Sequence, residues 1–140
     1  MKPRFVLDSS VTLSWQFEDE ISPYSESILD YIENTAAAVP AIWPLEVANV
    51  LAIAERTKRI TTNKISSFLA GLCLLPITVD VSSAPHIFDD VLSLARQHRL
   101  TAYDASYLDL ARRLRLPLAT LDAGLKRAAK AASVELLKVS

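Results

Sequence analysis

Apolar residues follow two alternating rhythms along this chain. Short apolar-rich runs at Phe5-Val6-Leu7, Ala36 to Pro40, Ile77-Thr-Val-Asp-Val, Leu118-Ala-Thr and Val134 to Val139 read as strands. Between them apolar positions recur at helical spacing: Val47, Val50, Leu51 and Ala54, then Ile87, Val91, Leu94 and Ala95, then Tyr107, Leu108, Ala111 and Leu114. Helices are therefore predicted over about 24–34, 44–58, 63–74, 84–98, 103–115 and 123–132, with a shorter helix or turn over 11–17. Pro44 suits a first helical position, which would put Glu46 in the first turn. Thr61-Thr62-Asn63 reads as a cap, and Pro76 and Pro117 read as stops. Apolar strands alternating with helices imply a parallel sheet covered on both faces, so the expectation is a single α/β layered domain over residues 1–140.

A chain of 140 residues, 51% apolar and 22% charged, is long enough to bury a core and too apolar for disorder. It holds no run of roughly 18 uncharged apolar residues, and only three apolar residues in a row precede Asp8, too few for a signal sequence. The expected location is the cytoplasm, with no membrane association. The single cysteine, Cys73, lies in an apolar run and reads as a buried small hydrophobe; without a second there is no internal disulfide and no thiolate zinc site. Charge is nearly balanced overall but not along the chain. Residues 1–55 carry nine acids and two bases, whereas residues 96–140 carry nine bases and four acids. That asymmetry suits either an anion-binding face or solvated helices.

Several chemistries are excluded by missing residues. With two glycines, Gly71 and Gly124, there is no dinucleotide fingerprint and no phosphate-binding loop. His86 and His98 lack the spacing of a zinc pair, and no Gly-x-Ser-x-Gly elbow is present. Carboxylate chemistry remains. Asp8 ends the first predicted strand, Glu46 begins a helix, and residues 101–125 carry two acids where the chain enters helices, Asp104 and Asp122. Each is a reasonable helix-starting residue by itself, and Thr101-Ala-Tyr-Asp resembles a capping box. In a parallel sheet, however, the carboxyl ends of the strands open on one edge. Four carboxylates gathered there repel one another unless a cation neutralises them, and oxygen donors without histidine or thiolate suit Mg²⁺, with Mn²⁺ as a substitute. Asp109 lies five residues beyond Asp104, about 140° around a helix, and is expected to point elsewhere.

The segments Phe-Val-Leu-Asp-Ser-Ser at 5–10, Pro-Leu-Glu-Val-Ala-Asn-Val-Leu at 44–51, Tyr-Asp-Ala-Ser-Tyr-Leu-Asp-Leu-Ala at 103–111 and Leu-Ala-Thr-Leu-Asp at 118–122 resemble, in order and spacing, the motifs of PIN-domain ribonucleases. Among these the similarity is greatest to the small VapC-type toxins of toxin–antitoxin pairs. The resemblance implies a three-layer α/β/α domain with a short central parallel sheet. It implies that Asp8, Glu46, Asp104 and Asp122 form a catalytic quartet binding Mg²⁺, supported by Ser10, Asn49 and Thr120. It also implies an RNA substrate, a small antitoxin partner and a homodimer. The dimer would use helices 24–34 and 44–74, where Ile65, Phe68, Leu69 and Leu72 form an apolar stripe that equally suits ordinary core packing. Arg112, Arg113, Arg115, Lys126, Arg127 and Lys130 are candidate phosphate contacts, and Trp15 or Trp43 would either stack on a base or pack in the core. Two rival readings stand beside this one. An aspartate-nucleophile phosphatase also begins with a strand ending in Asp, but it needs a second Asp where this chain has Ser10. A non-catalytic interaction module would use the acids only as caps.

Overall fold

The computed structural model describes residues 1–139. Four parallel strands, β1 (Phe5–Leu7), β2 (Ala37–Pro40), β3 (Ile77–Asp80) and β4 (Leu118–Ala119), form one sheet in the order β3-β2-β1-β4. Phe5 pairs with Ala37, Val6 with Leu118, and Ala37 with Ile77. Helices α1 (Ser9–Ser14), α2 (Pro23–Glu33), α3 (Ile42–Arg56) and α4 (Thr62–Cys73) accompany the first two strands. After β3 come α5 (Ala84–His86), a π-helical turn (Ile87–Val91), α6 (Leu92–His98) and α7 (Ala102–Leu114); α8 (Ala123–Ala131) follows β4. The result is the expected three-layer α/β/α arrangement.

The central strand shows why this sequence layers. Phe5, Val6 and Leu7 are all fully buried, so both faces of β1 are covered and no polar position is tolerated. α7 lies against it and brings Ala105, Tyr107, Leu108 and Leu110 into the core at zero exposure. One continuous apolar cluster joins the sheet to Val11 of α1, Ile28 and Ile32 of α2, Val47 and Leu51 of α3, and Leu125 of α8. No helix of the described residues is long and apolar enough to cross a membrane.

Several local expectations are corrected. α3 begins at Ile42, so Pro44 is its third residue and Glu46 stands in the second turn. The first turn's N–H groups lack helical partners in any case, so proline costs nothing at any position there. α7 is capped by Thr101, whose hydroxyl accepts from the Asp104 amide at 3.1 Å; Asp104 is inside the helix, not at its cap. The π-helical turn adds a residue to the helix over 84–98 and rotates Ile87 outward to 40% exposure, while Val91, Leu94 and Ala95 stay buried. The strand expected over 134–139 reduces to a single bridge between Leu118 and Leu136, since β4 offers only two residues to pair with. Cys73 is exposed, because the buried face of α4 is carried by Leu72. Ile65 and Phe68 pack onto the core, leaving Leu69 as the exposed member of that stripe. Leu114, at the end of α7, is 40% exposed.

Two substitutions check this account. Leu108→Ala should lower the unfolding free energy by about 3 kcal/mol in urea titration, the cost of a cavity under a fully packed sheet. Thr101→Ala should cost about 1 kcal/mol through the lost cap, measured the same way.

Candidate active site

The carboxyl edge of the sheet gathers the four acids. Asp8 follows β1 directly and is 4% exposed. It occupies the N-cap position of α1, yet its side chain makes no capping bond. Instead Oδ2 accepts from Ser10 Oγ at 2.5 Å and from Thr120 Oγ1 at 2.7 Å. No hydrogen bond reaches Oδ1 among the described residues. The two hydroxyls are themselves fixed by the chain. Ser10 Oγ accepts from the Leu121 amide at 3.0 Å, and Thr120 Oγ1 accepts from the Asp122 amide at 3.0 Å. This lattice joins the end of β1 to the end of β4 and holds Asp8 in one orientation.

The remaining acids arrive from helices. Asp122 is the N-cap of α8, and its Oδ2 accepts from the Leu125 amide at 2.8 Å. Asp104 sits in the first turn of α7, half-buried. Glu46, also half-buried, accepts on Oε1 from the Tyr107 hydroxyl at 2.6 Å. Tyr107 was legible in the sequence only as a core position. Its place one turn beyond Asp104 on the same helix face is what brings its hydroxyl to Glu46. Burial and the carboxylate it serves push its own pKa upward.

Electrostatics bind the set together. Burial raises the Asp8 carboxyl above its ordinary value, the Ser10 and Thr120 hydroxyls hold it down in part, and the charge of Asp122 raises it further. Glu46 is raised by burial and by Asp8 and Asp104, against the Tyr107 hydrogen bond. Asp104 is raised by burial and by Asp8 and Asp122. Asp8 and Asp104 thus feel every other member, while Glu46 and Asp122 flank them. None of the four has a Lys, Arg or His ion-pair partner among the described residues. Nor do three or more His, Cys, Asp or Glu side chains there close into a preformed ligand cage. Four uncompensated like charges hold one another apart. An all-oxygen donor set with Asp8 Oδ1 left open fits a hard divalent cation and fits zinc poorly. Ser10, standing where a phosphatase would place its second Asp, serves Asp8 as a hydrogen-bond donor.

Other candidates divide. Asn49 is exposed, three residues beyond Glu46 on α3. Lys126 and Arg127 lie exposed in the early turns of α8 beside the site. A Cβ at Gly124 would stand 3.3 Å from Asp122 Oδ2 and 3.9 Å from an Arg127 nitrogen, so glycine keeps this flank open. Arg112 and Arg115 fall at the far end of α7, roughly 12 to 16 Å along the helix from Asp104, where they line a cavity with Leu116 and Pro117. Lys130 lies at that opposite edge as well. Arg113 is committed to Asp80 at 2.7 Å and Asp109 at 3.0 Å. Trp43 is 7% exposed and donates to Thr12 Oγ1 at 3.0 Å, so it packs in the core. Trp15 is partly buried and donates to the Ser25 carbonyl at 2.7 Å.

Asp109 points away from the site, as its spacing predicts. At 5% exposure it meets His86 at 3.0 Å and Arg113 at 3.0 Å, and His86 reaches Asp90 at 2.9 Å. This network, spread across residues 80 to 113, ties β3 and the π-helical turn to α7, and no local sequence pattern announces it.

Comparison with known proteins agrees with this architecture. The PIN domain family profile matches residues 5–131. The fold is similar to that of PAE2754 from Pyrobaculum aerophilum, with a TM-score of 0.68 and 23% identity over 90% of this chain and 79% of that one. It is also similar to FitAcB from Neisseria gonorrhoeae, with a TM-score of 0.57 and 21% identity over 96% of each chain. At such identities the likeness is one of fold. No curated protein sequence matches the chain. With the family profile covering almost its whole length and four acids at the carboxyl edge of its parallel sheet, the chain belongs to the PIN domain family.

Proposed function

We propose that this protein is a divalent-metal-dependent endoribonuclease, the toxin component of a type II toxin–antitoxin pair of the VapC type. One observation carries the reading: Asp8 is buried, its carboxyl raised by that burial and by the charge of Asp122, and without any cationic partner among the described residues, yet no side chain donates to its Oδ1. PIN domains are generally nucleases, and such a carboxylate is suited to a cation that the protein itself does not supply.

In this reading Asp8 and Asp104 hold the cation, Mg²⁺ or Mn²⁺, and Asp122 and Glu46 complete its surroundings. When bound, it offsets charge on the scissile phosphate and makes hydroxide easier to generate from water. The protein's part is orientation. Ser10 and Thr120 fix Asp8 through Oδ2 and leave Oδ1 without a side-chain donor. Tyr107 fixes Glu46 through Oε1. The Leu125 amide of α8 holds Asp122 through Oδ2. Lys126 and Arg127 stand where flanking phosphates of an RNA strand would pass. An antitoxin fitted to this cleft would present cationic groups to the acids, and the exposed Leu69 with its neighbours on α4 suits a homodimer contact.

Purified protein should cleave RNA with Mg²⁺ or Mn²⁺ and stop with EDTA. Asp8→Asn and Asp104→Asn should each lower cleavage at least 100-fold on a gel-based assay while retaining the wild-type circular dichroism spectrum. Wild-type cleavage by both variants would place the chemistry elsewhere.

A second measurement follows from the raised carboxyls. Their folded values exceed the unfolded ones, so the folded chain binds protons more readily. Stability from this source is present at acid pH and is lost as pH rises through the raised values. Metal-free protein should therefore lose melting temperature as pH is raised from mildly acid to mildly alkaline conditions. Mn²⁺ should raise the melting temperature at pH 8, and Asp104→Asn should raise it without metal. A metal-free melting temperature that changes neither with pH nor with Asp104→Asn would refute the electrostatic picture.

A further inference from the structure

An apolar cavity of about 330 Å³ opens at the carboxyl ends of β2 and β3. It is lined by Ile42 of α3, Val91 of the π-helical turn, Ala102, Tyr103 and Ser106 of α7, and the Asp109–Arg113 pair. Two of these residues tie it to the acidic cleft. Ile42 precedes Glu46 by one turn of α3, with Cβ atoms about 6 Å apart on one helix face. Tyr103 adjoins Asp104, with Cα atoms about 3.8 Å apart. The cavity also borders Pro40 and Asp80, so it covers the ends of β2 and β3, while Asp8 and Asp122 stand at the ends of β1 and β4. Cavity and cleft therefore lie along one sheet edge.

We propose that this cavity receives one unstacked base of the RNA strand whose phosphate occupies the acidic site. The inference rests on the nuclease reading above and names what that site would recognise. A neutral base tolerates the negative field of the acids, which would repel an anionic ligand seated so close. The Tyr103 ring, 59% exposed on the cavity's rim, offers an aromatic face for stacking. Polar groups line the cavity as well. Arg113 uses Nε on Asp109 and Nη2 on Asp80 and Ser82, but its other amino group makes no hydrogen bond among the described residues. Ser106 donates to the Tyr103 carbonyl at 2.5 Å and keeps its acceptor side free. A base edge carries both acceptors and donors for these groups. An aliphatic side chain from a protein partner would instead cover the Arg113 amino group without satisfying it. The buried network through Asp109 and His86 holds Arg113 in place.

Two variants and two readouts test the proposal. Tyr103→Ala removes an exposed ring and leaves the core intact, and Ser106→Trp fills the cavity. In cleavage profiling on a randomised RNA pool, both should flatten the wild-type preference at one nucleotide beside the cut. Tyr103→Ala should also raise KM about tenfold, as expected for a lost base stack, with a smaller change in kcat. Separately, and without metal, the four ribonucleosides, nucleotides without the phosphate that the acids would repel, are titrated into wild-type protein at millimolar concentration. At least one should shift the NMR signals of Ile42, Ala102 and Ser106, and Ser106→Trp should abolish binding. Nucleoside binding in the cavity by a wild-type protein that cleaves no RNA would sink the nuclease reading and keep the base pocket. An active protein whose preference and KM survive both substitutions, or one that binds no nucleoside there, overturns the proposal and leaves the cavity to a protein side chain.

Discussion

Asp8 is an ionisable group buried almost completely at the end of the central strand, held by two hydroxyls and opposed by three other acids. Burying a carboxylate without a cation is among the more expensive things a fold can do, and neutral hydroxyl donors compensate it only in part. The surrounding architecture follows from that constraint. β1 must be apolar on both faces to bring Asp8 to the sheet edge, and β4 must lie beside it so that Thr120 can reach across. Ser10 bonds both to Asp8 and to the backbone after β4, closing the two strand ends into one unit.

A second buried aspartate shows what ordinary compensation looks like in the same protein. Asp109 is 5% exposed, nearly the same as Asp8, but it faces an arginine and a histidine, and its charge is answered within the fold. Both residues depend on α7, which abuts β1 and β2 and carries acids of opposite use on different faces. Asp104 looks into the uncompensated cluster and Asp109 into the compensated network. The contrast separates an acid whose charge is paired within the fold from acids without a cationic partner among the described residues. It also gives α7 a double task, since the network that anchors it through Arg113 lines the cavity at the ends of β2 and β3.

The basic residues of the C-terminal third distribute according to the same geometry. A helix that places Asp104 at the carboxyl edge of the sheet necessarily carries Arg112 and Arg115 toward the opposite edge. Only α8, which starts at the site, keeps its early cations Lys126 and Arg127 close. The charge asymmetry along the chain is therefore not a single anion-binding face.

The sequence by itself determined the strand and helix rhythm, the parallel α/β architecture and the identity of the four acids. Those properties follow from local periodicity and from the rule that parallel strands share a carboxyl edge. It also placed Asp109 outside the cluster, because five residues along a helix decide a direction. Boundaries were less legible. The start of α3 before Pro44, the π-helical turn at Ile87–Val91 and the lone bridge at Leu136 depend on packing that a local pattern does not encode. Tertiary structure alone decided that Tyr107 orients Glu46, that Thr120 and Ser10 share one oxygen of Asp8, and that Arg113 is bound to two acids. Those contacts join residues up to 112 positions apart, and only the closed sheet brings them within hydrogen-bond range.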